Sequence, residues 1–149
     1  MTILAQNKKA FFDYEILEKY ETGIELKGFE VKSIKKGQIN LNGSYVIIRN
    51  GEAWLVNANI APYQLKNTPT DYNPAKNRRL LLTKKEINYL ASKLEQKNLT
   101  IIPLEVYNKN RLIKLKIALV KPRKKIDKRE IIKKREARRE IKKYGDAGF

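Results

Sequence analysis

After Val120 the supply of large apolar residues nearly stops, and with it the material for a core. From Lys121 to Lys143, 23 residues carry 13 Lys and Arg against 4 Asp and Glu, a net +9. The large apolar residues there, Ile126, Ile131, Ile132 and Ile141, form no continuous helical stripe. Such a segment cannot bury enough surface to offset the entropy of ordering it. It is therefore expected to be a tail, disordered when free. Glu136 and Glu140 lie among Arg and Lys at spacings of three and four, so the tail should become helical on a partner. The expected organisation is a folded domain over 1–120 and a basic C-terminal tail over 121–149.

The whole chain has 149 residues and a net charge of +17, with 42% hydrophobic residues, enough for one core and no second domain. The folded part keeps half of that excess, so two basic segments share one small protein. Cys and His are both absent. That removes disulfides, zinc ribbons, thiol nucleophiles, the commonest metal ligand and the commonest general base. Met1 to Ala10 does not read as a signal peptide, and no apolar run approaches 18 residues. A cytoplasmic protein with a polyanionic partner and no membrane association is expected, nucleic acid being the commonest such partner.

Strand signals dominate the folded part. Glu15 to Lys27 alternates in part. Ser44 to Arg49 and Ala53 to Asn57 flank Asn50-Gly51, a pair suited to the two positive φ angles of a type I′ turn. Leu99 to Tyr107 and Arg111 to Val120 predict a second hairpin around Asn108-Lys109-Asn110. On its last strand Ile113, Leu115, Ile117 and Leu119 face one way, and Lys114 and Lys116 the other. Thr83 to Lys97 predicts a helix with a capping box, Thr83 with Glu86, and core positions Ile87, Leu90, Ala91 and Leu94. A shorter helix is expected over Phe29 to Lys36, closed by Gly37. Pro62 to Arg79 reads as an irregular loop ending in Lys76, Arg78 and Arg79. Short antiparallel strands with a capped helix suit a mainly β fold, a small closed or nearly closed barrel of the oligonucleotide-binding (OB) type with two or three short helices.

For catalysis the remaining groups are carboxylates, Ser and Lys. Asp13, Glu15, Glu18 and Glu21 are close enough in sequence for a metal nuclease to use, but balancing nearby Lys is the simpler role. The seven glycines form no phosphate-cradling loop. A binding protein without enzymatic activity, cofactor or metal is expected. Tyr63, Tyr72 and Tyr107, beside Lys66, Lys76, Arg78 and Lys109, combine flat side chains with phosphate-binding groups. Tyr45 and Trp54 lie in an alternating hairpin and are expected to be core or half-buried. A ribosomal protein, a single-strand binder and an RNA chaperone all fit these features.

The order of motifs is more specific. Asn7-Lys8-Lys9-Ala10, Asp13-Tyr14, Glu18, Glu21-Thr22-Gly23-Ile24-Glu25-Leu26-Lys27-Gly28 and Glu30-Val31-Lys32-Ser33-Ile34 with Gly37 resemble the SmpB (small protein B) family. So do Asn40-Leu41, Ser44-Tyr45-Val46, Asn59-Ile60, Tyr72-Asn73-Pro74, Arg78-Arg79-Leu80-Leu81-Leu82 and Asp127-Lys128-Arg129-Glu130, in collinear order along nearly the whole chain. The resemblance implies an OB-type barrel that binds the tRNA-like domain of transfer-messenger RNA (tmRNA), the SsrA RNA. It further implies delivery to the A site of stalled ribosomes for trans-translation, with elongation factor Tu engaged indirectly through the RNA. The tail would occupy the empty mRNA channel at the ribosomal RNA of the decoding centre. A structural ribosomal protein or a general RNA chaperone with an OB barrel is the alternative.

By the same resemblance, Asn7, Lys8, Lys9, Glu21, Glu30, Lys32, Ser33, Arg78, Arg79 and Leu81 form the RNA-binding set, to which the basic end of the Pro62 to Arg79 loop adds Lys76. Lys and Arg would neutralise phosphates, and Asn, Ser and Glu would hydrogen-bond backbone, 2′-hydroxyl or base groups. Glu21 and Glu30 either make such a bond or pair with a neighbouring Lys. Leu81 either packs on a splayed base or fills the core. The tail set is Lys124, Lys125, Ile126, Asp127, Lys128, Arg129, Lys133, Lys134 and Arg135. Two departures from the family's pattern stand out. Pro122 replaces a Gly-containing hinge and should stiffen it, and Ile126 replaces the ring that stacks in the decoding centre. The last residues, Gly145 to Phe149, lack the usual basic end.

Overall fold

Two hairpins frame the molecule, and their turns decide its register. In the computed structural model, which describes residues 1–64, 66 and 68–123, β4 (Tyr45–Arg49) and β5 (Glu52–Val56) pair through the expected turn. Asn50 and Gly51 have φ of 54° and 74°, the two positive values that a type I′ turn needs. The second hairpin joins β8 (Thr100–Lys109) to β9 (Leu112–Pro122). Its turn is Asn110-Arg111, with φ of 51° and 67°, and Lys109 pairs with Leu112. Asn108 and Lys109, expected in the turn, belong to the strand. The segment offers two Asn residues and no Gly, so only long-range pairing selects the turn.

The remaining elements are β1 (Thr2–Gln6), α1 (Lys8–Asp13), β2 (Tyr14–Ile24), α2 (Gly28–Lys35), β3 (Ile39–Asn40), β6 (Asn59–Ile60), β7 (Arg78–Leu81) and α3 (Lys84–Leu94). Antiparallel pairings run β8, β4, β5, β7, β2, β9 and return from β9 to β8, with β1 added along β8 and β3 pairing β6 apart. The β4–β8 seam is a single pair, Val46 with Ile101, so the sheet curls into a nearly closed barrel and stops short of full closure. Register shifts at Ile16/Glu18 in β2 and Pro103/Glu105 in β8 supply the local bending that curling requires. Mainly β with short helices is thus the fold, as expected.

Ile34, Leu55, Leu90, Leu115 and Ile117 are among the residues of the main core. A second, smaller cluster of Ala10, Ile102, Leu104, Ala118 and Val120 lies between α1 and the sheet. The non-core face of β9 is therefore basic only near its turn, at Lys114 and Lys116, and apolar where α1 covers it. β9 also continues past 120: Pro122 pairs with Tyr14, and the Arg123 amide donates to the Asp13 carbonyl at 2.9 Å. Pro122 thus ends a strand.

Helix ends follow local chemistry. Thr83 Oγ1 accepts from the Glu86 amide at 3.2 Å and Glu86 Oε1 accepts from the Thr83 amide at 3.0 Å, which starts α3 as expected. α3 stops at Leu94, three residues before the expected end. At the end of α2 the Gly37 amide donates to Ile34 and the Gln38 amide to Ser33, a Schellman closure with Gly37 at φ 74°.

Candidate nucleic-acid interface

The site is built outward from a buried ion pair. Glu30 on α2 and Arg78 on β7 are 1% and 2% exposed. Arg78 Nε and Nη2 reach Glu30 Oε2 at 2.9 and 2.8 Å. Arg78 also donates to the carbonyls of Ala58 and Lys76 at 2.9 and 3.0 Å and to the Tyr72 hydroxyl at 3.0 Å. The other carboxylate oxygen accepts from the Lys27 amide at 2.9 Å and lies 3.4 Å from Lys76 Nζ. The Tyr72 hydroxyl in turn donates to the Ile60 carbonyl at 2.7 Å. Burial alone would raise the Glu30 pKa, but the Lys27 amide and the Arg78 guanidinium outweigh it and hold the carboxyl below its ordinary 4.5. Both groups are fully employed inside the protein. They tie α2, β7 and the Tyr72 loop together, and neither presents surface to a ligand.

Two further residues of the expected set are likewise internal. Asn7 is buried, its amide side chain donating to the Pro103 carbonyl at 3.0 Å. Ser33 is buried, its hydroxyl donating to the Ala61 carbonyl at 2.6 Å. Asn7 lies at the start of α1, from which Lys8 and Lys9 stand exposed. Ser33 anchors α2 beside exposed Lys32, whose ammonium lies 5.8 Å from the Tyr63 ring centre, as does that of Lys36. Tyr63 is thus the one of the three expected tyrosines capped by two cations. Tyr72 is committed to the ion pair, and the Tyr107 ring is buried.

Three exposed members, Arg79, Leu81 and Glu21, gather along β7 and the strand beside it. Arg78 and Leu80 point inward, so Arg79 and Leu81 point out. Leu81 is 53% exposed, which excludes the core-filling alternative. It lies over Gly23, where an added Cβ would come within 3.1 Å of Leu81 Cδ1, and Gly23 pairs with Lys114 of β9. Leu81, Lys114, Arg111 and Leu26 line one shallow groove. Next along β2, Glu21 pairs with Lys116 across to β9. Glu21 accepts from the Tyr107 hydroxyl and lies 3.3 Å from Lys109 Nζ; the Tyr107 bond, then Lys109, lowers its pKa. Its intramolecular partners are thus real, yet the carboxylate remains exposed at the sheet surface. Lys114, Lys116 and Arg111 were missing from the expected set. The alternation of Lys114 and Lys116 on β9 was legible, but the closeness of Lys114 and of Arg111 in the turn to Leu81 depends on β2 lying between β7 and β9.

Asn7 and Lys9 line a separate groove with Tyr14 and Tyr45, so the structure does not gather the whole expected set at one point. The acidic cluster is also dispersed in role. Glu18 accepts from Tyr20 at 2.5 Å and Tyr89 at 2.6 Å, which lowers its pKa, while Glu21 is held as above. Among the described residues no three acidic side chains are placed to hold a metal ion, and no helix is long and apolar enough to cross a membrane. The expected tail residues, Lys124 to Arg135, lie outside the described residues, as does the proposed disorder-to-helix change.

A small barrel with a basic, partly apolar outer strip stiffened from beneath by a buried ion pair defines a binding protein for a structured polyanion. The SmpB protein family model matches residues 4–146, and this chain belongs to that family. An SsrA-binding protein of Sulfurihydrogenibium sp. (strain YO3AOP1) is 52% identical over 95% of this chain and 92% of its own length. One of Thermosipho melanesiensis is 51% identical over 97% and 98%. A solved structure described by the words "tmRNA-SmpB: a journey to the center of the bacterial ribosome" superposes with a TM-score of 0.68 at 40% identity, covering 86% of this chain and 93% of that one.

Proposed function

We propose that this chain is the RNA-binding adaptor of trans-translation: the barrel holds the tRNA-like domain of tmRNA and brings it to the A site of stalled ribosomes. Elongation factor Tu is engaged through the RNA, and the basic tail occupies the empty mRNA channel. The role is one of binding and positioning, carried out in the cytoplasm where ribosomes work. The observation that carries this reading is the outward strip of Arg79, Leu81, Lys114, Lys116 and Glu21, in a chain that matches its family through residue 146. Cations on this strip neutralise phosphates, Leu81 offers an apolar contact to an unstacked base, and Glu21 accepts from a base amino group or a 2′-hydroxyl. Glu30, Arg78, Ser33 and Asn7 support those contacts from within, holding the elements that carry Lys32, Lys76, Arg79, Lys8 and Lys9.

Competition binding tests this reading. The tRNA-like domain of tmRNA should displace labelled tmRNA at far lower concentration than ordinary tRNA does. Equal competition by the two would leave only generic polyanion binding.

A further inference from the structure

Trp54 is the only tryptophan of the chain, and its surroundings are those of a stacking platform. On β5 the alternation buries Ala53 and Leu55 and turns Trp54 outward, half-exposed. Its neighbours across the sheet are Ile47 on β4 and Arg79 on β7. The indole and Asn77 are shared by two adjoining grooves. One contains Lys27, Lys76 and Arg79 with Glu25, the other Arg49 and Glu52. A half-buried indole between grooves offers a flat apolar face that a core tryptophan would not.

The charges identify what fits there. Arg79 is held loosely, 3.4 Å from Glu52 and 3.7 Å from Glu25, with all three side chains substantially exposed. Such surface pairs contribute little and exchange readily for another anion. Glu30, the remaining carboxylate in the first groove, is neutralised by Arg78 at 2.8 Å, so that Lys76, 3.4 Å from its other oxygen and partly exposed, can meet a second anion. Lys27, Lys76 and Arg79 in one groove and Arg49 in the other thus share their grooves with the indole, with the exposed Asn77 amide able both to donate and to accept. We propose that Trp54 is a nucleotide-binding subsite: an unpaired base of the bound RNA stacks on the indole, its phosphate meets Arg79 and Lys76, and Asn77 bonds its edge. The proposal rests on the RNA-binding reading above and extends the interface from β7 across β5 to the Asn50-Gly51 hairpin.

The single tryptophan makes the test direct. Full-length protein is titrated with the tRNA-like domain of tmRNA while tryptophan emission and the anisotropy of end-labelled RNA are followed together. Emission should be quenched in step with the anisotropy rise. Trp54→Ala should weaken binding by at least about fivefold, the lower end of what one stacked base contributes. Trp54→Phe should restore most of it, and thermal melting of both variants checks that the barrel is intact. RNA binding with unchanged emission, or Trp54→Ala binding within about twofold of wild type, overturns the subsite and leaves the RNA-binding reading standing. Absence of any anisotropy rise overturns both.

Discussion

Glu30 and Arg78 carry full charges where almost no water reaches, and that is tolerable only because every donor and acceptor between them is used. Removing one partner strands the other. Glu30→Gln should therefore cost about 3–5 kcal/mol at pH 7 in urea denaturation, the usual cost of breaking a buried pair. Exposed Glu21→Gln should leave the urea midpoint nearly unchanged while weakening RNA binding. The pH dependence has a definite sign. Glu30 has a folded pKa below its ordinary value, so its contribution is complete above about pH 4.5 and is lost as pH falls through the folded value. The gap between wild type and Glu30→Gln should narrow at pH 3. A gap that stays constant from pH 7 to pH 3 would mean that the carboxylate's charge is not what stabilises the pair.

At the scale of elements, Gly23 and Thr83 separate binding from stability. A Cβ on Gly23 would press on Leu81 Cδ1 at 3.1 Å, and Leu81 is exposed enough to yield. Gly23→Ala should thus move a contact residue and lower RNA affinity more than stability. Thr83→Ala, which removes a cap far from the strip, should do the reverse, costing about 1 kcal/mol without altering affinity. The Asn50-Gly51 turn, the Thr83–Glu86 box and the Gly37 closure were legible in sequence because each is decided within a few residues. β7 was not, since its four residues follow a proline-containing loop and become a strand only by pairing with β5 and β2. α1 was not either, since Lys8 to Asp13 has no apolar repeat and is held by packing Ala10 against β8 and β9. Arg78 read as a surface cation because its partner is 48 residues away. The same separation hid the distinction between residues that touch RNA and those that hold them in place.

At the scale of the whole molecule, the net +17 divides nearly evenly, +9 on residues 1–120 and +8 on Lys121 to Phe149, where Asp146 offsets one of the +9 carried by Lys121 to Lys143. If the barrel's share neutralises about six phosphates, affinity for the tRNA-like domain should fall roughly a thousandfold between 50 and 200 mM salt. A much flatter slope would assign the affinity to stacking and polar contacts. The structure also refines where the two parts can be cut. Truncation at Val120 would remove the pairing of Pro122 with Tyr14 and the Arg123 amide bond to Asp13, so the cut belongs after Arg123. Both apolar clusters lie before that point. The most direct measurement is then tagging on stalled ribosomes, alongside tmRNA affinity, for the full chain and for a chain ending at Arg123. Affinity kept within a few-fold with tagging abolished is the predicted result; normal tagging by the shortened chain would contradict the division of labour between barrel and tail.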